Sequence, residues 1–231
     1  MMSGSGRRSR RSAAALGKIG LLPNPTNPMS AVPPSPLYLP ASRKQRFCSQ
    51  CGHALTQRVP EDDNRLRDVC DHCKTVHYQN PLMVVGTMPV WQDKILLCRR
   101  AIEPRFNYWT LPAGFMELGE SSQDGAARET REEAGAEFTM GELFAVIDIP
   151  HVDQVHVFYH AKLTSDRFDP GPESLEAALF AYQDIPWDAL SFRSVALALE
   201  LFFEDRQQGR HGTYQRTLAP LPFPPIAVAA Q

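Results

Sequence analysis

Two short, mostly apolar runs, Met83–Trp91 and Lys94–Arg100, are separated only by Gln92 and Asp93. Runs of that length flanking a two-residue polar break predict a β-hairpin. Trp109–Leu111 reads as a short strand stopped by Pro112. Leu143–Ile149 and Gln154–Leu163 read as two further strands around His151-Val152-Asp153, and Leu175–Tyr182 as another. Apolar or small residues recur at helical spacing over Ser122–Ala134 and Val195–Gln207, which predicts one helix inside the strand series and one closing it. Residues 81–212 therefore form an α/β domain, 47–80 a separate cysteine module and 213–231 a loose Pro/Ala-rich tail. Residues 1–46, Ser/Arg-rich and then crowded with proline, read as a disordered arm.

With 231 residues and 43% hydrophobic positions, the chain can bury one core and carry a small module. It contains no run of 18 apolar residues, so a membrane-spanning helix and a membrane partner are not expected. Charge changes the picture more. Residues 1–60 hold nine of the 24 Lys/Arg and none of the 26 Asp/Glu, so the part from Glu61 onward has a net charge of -11. An acidic body argues against nucleic acid as a partner. If it handles a phosphate anion, it needs a divalent cation. The acid-free leader leaves three readings: a floppy extension, a basic interaction arm, or an organelle transit peptide. The expected location is the cytoplasm, with an organelle as the alternative.

Four of the five cysteines fall as Cys48-x2-Cys51 and Cys70-x2-Cys73. Two such pairs can place four thiolates around one tetrahedral Zn²⁺, and a site closed by four protein ligands is structural. Gly52 follows the first pair where the turn needs positive φ. His53 and His72 are expected to be surface residues, and Cys98 a buried one.

The segment Gly114–Ala136 carries the chemistry. Ser121 and Asp124 form a capping box, and Gly135 sits at a helix stop. At roughly 100° per residue, Glu132 and Glu133 fall about 60° and 40° to either side of Glu129, on one narrow face. Small residues occupy the opposite side, ready to pack on a sheet. Like charges so placed cost tenths of a kcal/mol and suit a solvated face. The preceding loop, however, brings Glu117 and Glu120 towards the same place, and Arg128 offers a fork for Glu120. Clustered hard oxygens suit Mg²⁺ or Mn²⁺.

Gly114, Glu120, Arg128, Glu129, Glu132, Glu133, Gly135 and Ala136 stand at the spacing of the Nudix box, G-x5-E-x7-R-E-U-x-E-E-x-G-U. The chain therefore resembles the Nudix hydrolases, with Thr130 where that family usually has Ile, Leu or Val. The resemblance implies an α/β/α sandwich with a mixed sheet, preceded by a zinc ribbon. It also implies hydrolysis of a nucleoside diphosphate linked to another moiety. Glu129 and Glu133, with the carbonyl of Ala113, are then the implied metal ligands. Glu132 is implied as a further ligand or base, and Glu120–Arg128 as a structural pair. A ribbon followed by Tyr78-Gln79-Asn80-Pro81 is similar to the NADH pyrophosphatase group. Pro170–Glu176 with Leu179-Phe180, and the ending Leu201–Asp205, look more like the plant-type FAD and ADP-ribose pyrophosphatases. That order puts FAD first as substrate, with ADP-ribose and NADH as alternatives, and makes a homodimer possible by analogy. A non-catalytic ligand sensor or nucleic-acid-binding regulator is the rival from another class.

Outside the box, Arg99 and Arg100 end a strand and are candidates to pair with phosphate, or are a surface pair. Glu173 and Glu176 precede a strand and could reach the metals or cap a loop. Trp109 is either a stacking plate for a base or core. His151, His156 and His160 show no ligand spacing and are taken as structural.

Overall fold

The computed structural model describes residues 45–220, and the arm over residues 1–44 and the final residues 221–231 lie outside it. The cysteine module forms a three-stranded antiparallel sheet of β1 (Leu55–Arg58), β2 (Arg67–Cys70) and β3 (Val76–His77). Its two metal-type turns repeat one geometry. Gly52 and Lys74 stand at matching positions, with φ of 74° and 64°, and their N–H groups donate to Cys48 O and Cys70 O.

The larger sheet contains β4 (Leu82–Trp91), β5 (Lys94–Arg100), β6 (Trp109–Thr110), β7 (Ala113–Phe115), β8 (Phe138–Ile149), β9 (Gln154–Leu163), β10 (Ser174–Phe180) and β11 (Tyr214–Thr217). The order is β10-β5-β4-β9-β8-β11, with β6 on β5 and β7 on β4. β4 runs parallel to β9 and β11 parallel to β8, while the other pairs are antiparallel, so the sheet is mixed.

Alternation along the strands splits the core into two faces. Ile95, Leu97, Met88 and Phe158 point to one side, where α2 (Arg193–Gln208) buries Val195, Ala198, Leu199, Leu201, Phe202 and Phe203. Leu96, Cys98, Val85 and Val157 point to the other, against Ala126 and Ala134 of α1 (Ser122–Ala134). This is the α/β/α sandwich. No helix among the described residues is long and apolar enough to cross a membrane.

The helix α1 has the bounds expected from its caps: Asp124 N–H donates to Ser121 Oγ at 3.1 Å, and Gly135 adopts φ 57°. Thr130 is fully buried and not a flaw in the face. Its hydroxyl donates to Ala126 O at 2.7 Å and pairs with Thr87 Oγ1 of β4 at 2.7 Å. Thr130→Val should therefore cost about 1–2 kcal/mol, because Thr87 is left buried and unpaired. The double change with Thr87→Val should recover part of that loss in urea unfolding. An equal or larger loss in the double variant would contradict the pairing.

One boundary needs correction. Residues 213–231 were expected to be tail, yet Tyr214–Thr217 joins the sheet edge as β11. Asp205 at the end of α2 accepts hydrogen bonds from Tyr214 Oη and Gly212 N and so ties the segment down. The remainder from 221 lies outside the described residues.

Candidate active site

The loop from β7 to α1 lies across the carboxylate face of α1. Arg128 holds it there. Its Nε and Nη2 donate to Glu120 at 3.1 and 2.9 Å, and Nη2 also donates to Phe115 O at 3.1 Å. The guanidinium keeps the Glu120 carboxyl down at about 2. The structure adds contacts that spacing did not suggest. Arg128 Nη1 also reaches Glu129 at 2.7 Å and Glu132 at 3.0 Å, so one side chain organises three carboxylates. Glu117 donates its N–H to Glu120 at 2.7 Å, which closes the loop on itself.

Two backbone features make room for the carboxylates. A Cβ at Gly114 would collide with the Glu129 carboxylate, so only glycine lets that group lie against the strand. Ala113 N–H donates to Glu133 Oε2 at 3.0 Å. Glu133 is only 5% exposed, and burial pushes its carboxyl up to about 8, with the neighbouring Glu129 adding to the rise. Burial raises Glu129 as well. Buried carboxylates whose charged forms are disfavoured are stabilised by a bound cation. The donor set of hard oxygens therefore fits a divalent ion of the Mg²⁺ or Mn²⁺ type.

The carboxylate face opens on a cavity of about 1100 Å³. Glu117, Arg128, Glu129, Glu132 and Glu133 line it, together with Arg100 and Glu173. Arg100 is largely buried. Its Nε donates to Pro104 O at 2.9 Å, and its guanidinium lies 5.4 Å from the Phe192 ring, close enough to Glu133 and Glu173 to feel both charges. The farther wall is mixed, with Ile149, Val152, His156, Phe192 and Leu218.

Three expected substrate contacts are not part of this lining. Arg99 points to the other side of its strand, donating to Glu176 and Asn107 at 2.8 Å each. Glu176 is thereby occupied as an ion-pair partner. Trp109 packs edge-on against Phe180 at 4.8 Å, which settles it as core. Ala113 lies beside the carboxylates, its N–H donating to Glu133 Oε2. His156 was taken as structural but lines the cavity. It is 7% exposed, donates through Nε2 to Gln154 Oε1 at 3.1 Å, and is held down to about 4 by burial. Its alternation with Val155 and Val157 was the available signal.

That depressed value has a sign. An unfolded His156 takes up a proton near 6.5, while the folded one resists until about 4. Its contribution to stability is present above 6.5 and is lost as pH falls through that window, by about 3 kcal/mol in all. The wild type minus His156→Gln difference in unfolding free energy should shrink by that amount between pH 7 and pH 4. A flat difference would show that the ring is not buried neutral.

In the ribbon, Cys51 Sγ lies 3.4 Å from Cys70 Sγ and 3.4 Å from Cys73 Sγ, and Cys48 Sγ lies 3.6 Å from Cys73 Sγ. Four sulfurs at about 2.3 Å from a tetrahedral Zn²⁺ would be roughly 3.7 Å apart, so the quartet fits. His77 Nε2 lies 3.3 Å from Cys48 Sγ, a supporting hydrogen bond the spacing did not reveal.

Both halves match family models: residues 46–79 the model described as Nudix N-terminal, a zinc ribbon, and residues 81–198 the NUDIX domain. The chain belongs to the Nudix hydrolase family. A solved Nudix hydrolase from Nitrosomonas europaea is 46% identical, with a TM-score of 0.72 over 75% of this chain and 99% of that one. The NAD-capped RNA hydrolase NudC of Stutzerimonas stutzeri (strain A1501) is 33% identical over 72% of this chain and 59% of its own length. NudC of Pseudomonas aeruginosa (strain LESB58) is 30% identical over 73% of this chain and 59% of its own. The chain thus spans about three fifths of these curated Nudix relatives.

Proposed function

We propose that this Nudix hydrolase cleaves the diphosphate bridge of an adenine dinucleotide, with Mg²⁺ or Mn²⁺ held by Glu129 and Glu133. The observation that carries the reading is one cavity that joins the α1 carboxylates to Arg100 and to a partly apolar far wall. Its volume of about 1100 Å³ lies just above the usual range for ligand pockets, about 300–1,000 Å³, and suits a two-nucleoside substrate. A divalent cation bound there supplies charge neutralisation of the diphosphate and a more acidic attacking water. Arg100 is placed to pair with a phosphate oxygen. Glu132, whose side chain is 58% exposed, is the carboxylate best placed to take or orient a proton from bulk water, as further ligand or base. Glu120 and Arg128 fix the loop. Ile149, Val152 and Phe192 offer an apolar wall for a base.

The sequence motifs put FAD first, whereas the names of the curated relatives support a nicotinamide dinucleotide, so NADH is proposed ahead of FAD and ADP-ribose. The same names bring an NAD-capped RNA end into consideration as a substrate, against the earlier expectation that nucleic acid is not a partner. Free thiols suit a reducing compartment, and the cytoplasm is the proposed location. The test is a product assay with NADH, FAD, ADP-ribose and an NAD-capped oligonucleotide, in Mg²⁺ and in Mn²⁺. AMP from NADH, at a kcat/KM at least tenfold above that for FAD, is the expected result. A faster FAD reaction would restore the first order, and no cleavage of any substrate would overturn the proposal.

A further inference from the structure

Beside the closed Cys₄ site the ribbon carries two further ligand side chains, His53 and His72. His53 follows Cys51 by two residues, and His72 precedes Cys73 by one. The two opposed turns bring these exposed rings face to face, with centroids 3.8 Å apart and planes within 4°. One ligand atom from each ring and the sulfur of Cys51 all lie within 4.8 Å of one another.

All four thiols of the quartet accept hydrogen bonds within the ribbon. Cys48 Sγ receives Gln50 N–H at 3.4 Å and lies against His77 Nε2, Cys70 Sγ receives Cys73 N–H at 3.5 Å, and Cys73 Sγ pairs with Thr75 Oγ1 at 3.1 Å. Cys51 Sγ accepts a backbone hydrogen bond from His53 and lies against the thiols of Cys70 and Cys73. Four thiolates around one Zn²⁺ leave a formal charge of -2, and Cys51 is the sulfur of the four that faces the two imidazoles.

We propose that Cys51, His53 and His72 form a second cation site on the ribbon, taking a borderline divalent ion such as Zn²⁺, with the Cys51 thiolate bridging the two metals. Thiolate and imidazole are the ligands such ions prefer. Zn–N and Zn–S bonds of about 2.0–2.3 Å put two ligands of one ion roughly 3.3–3.8 Å apart, so the group must contract by about 1 Å. Swinging the exposed rings out of their stack supplies that movement and aims both lone pairs at one point. The site is open to solvent, so it binds more weakly and exchanges faster than the closed quartet.

The test uses the full chain dialysed against stepped zinc concentrations, with metal counted by mass spectrometry. The native chain is expected to bind one equivalent more than H53A/H72A, which keeps the tight equivalent, and zinc taken by the α1 carboxylates counts equally in both. In a parallel Co²⁺ titration, the sulfur-to-metal absorption band set by the first ion should shift when the second binds, because Cys51 is shared. Equal zinc in the native chain and in H53A/H72A at saturation would overturn the proposal. So would an unmoved cobalt band. Loss of the tight equivalent in H53A/H72A would overturn it too, by placing the histidines in the closed site. None of these outcomes depends on the substrate reading.

Discussion

Glu133→Gln should lower kcat by at least about a hundredfold while leaving the chain folded. Glutamine matches glutamate in shape, and its amide oxygen can still accept the Ala113 N–H that holds Glu133 at 3.0 Å. What it cannot do is balance a dication. The carboxyl is buried and its charged form disfavoured, so the fold gains nothing from the acid as such. Removing the charge should leave stability unchanged or slightly raised. This split, with turnover lost and stability kept, marks a residue retained for a cation. Glu129→Gln should behave alike, except that it also removes one of the three carboxylates that Arg128 holds. A fall in stability matching the fall in rate would instead identify Glu133 as part of the scaffold.

The second large effect is at the ribbon. Cys48→Ser should bring bound zinc below one equivalent and unfold residues 46–79 as a unit. Structural zinc contributes on the order of 10 kcal/mol to modules of this size, and three short strands with little core have nothing to replace it. Of the four ribbon cysteines Cys48 and Cys70 are buried, and Val69 is the main apolar residue beside them. Hydrogen exchange should show β1 and β2 losing protection in Cys48→Ser and in chelator-treated wild type. Stoichiometric zinc in the variant would refute the four-thiol assignment.

Some of this was legible in sequence because the signals are local. Ser121, Asp124 and Gly135 cap α1 from within a few residues, and the cysteine spacing carries its own geometry. β5 and β9 have the bounds that their runs predict. Other features depend on partners distant in the chain. Ala113–Phe115 is too short to signal a strand, and it exists as β7 because β4 accepts it. β11 likewise depends on β8. Arg99 and Arg100 look equivalent in sequence, but strand alternation sends one to an ion pair with Glu176 and the other to the cavity. The three-way grip of Arg128 and the pairing of Thr130 with Thr87 are tertiary facts. The substrate was least legible, because the box reads the shared diphosphate and the far wall of the cavity is built from residues with no motif.

Whether the α1 carboxylates bind the cation that hydrolysis requires can be measured without any substrate, by Mn²⁺ binding followed with electron paramagnetic resonance. Saturable Mn²⁺ binding is expected in wild-type protein with its zinc in place, displaced by excess Mg²⁺, and weakened at least tenfold in both Glu129→Gln and Glu133→Gln. Equal Mn²⁺ affinity in wild type and in those two variants would contradict binding at those carboxylates.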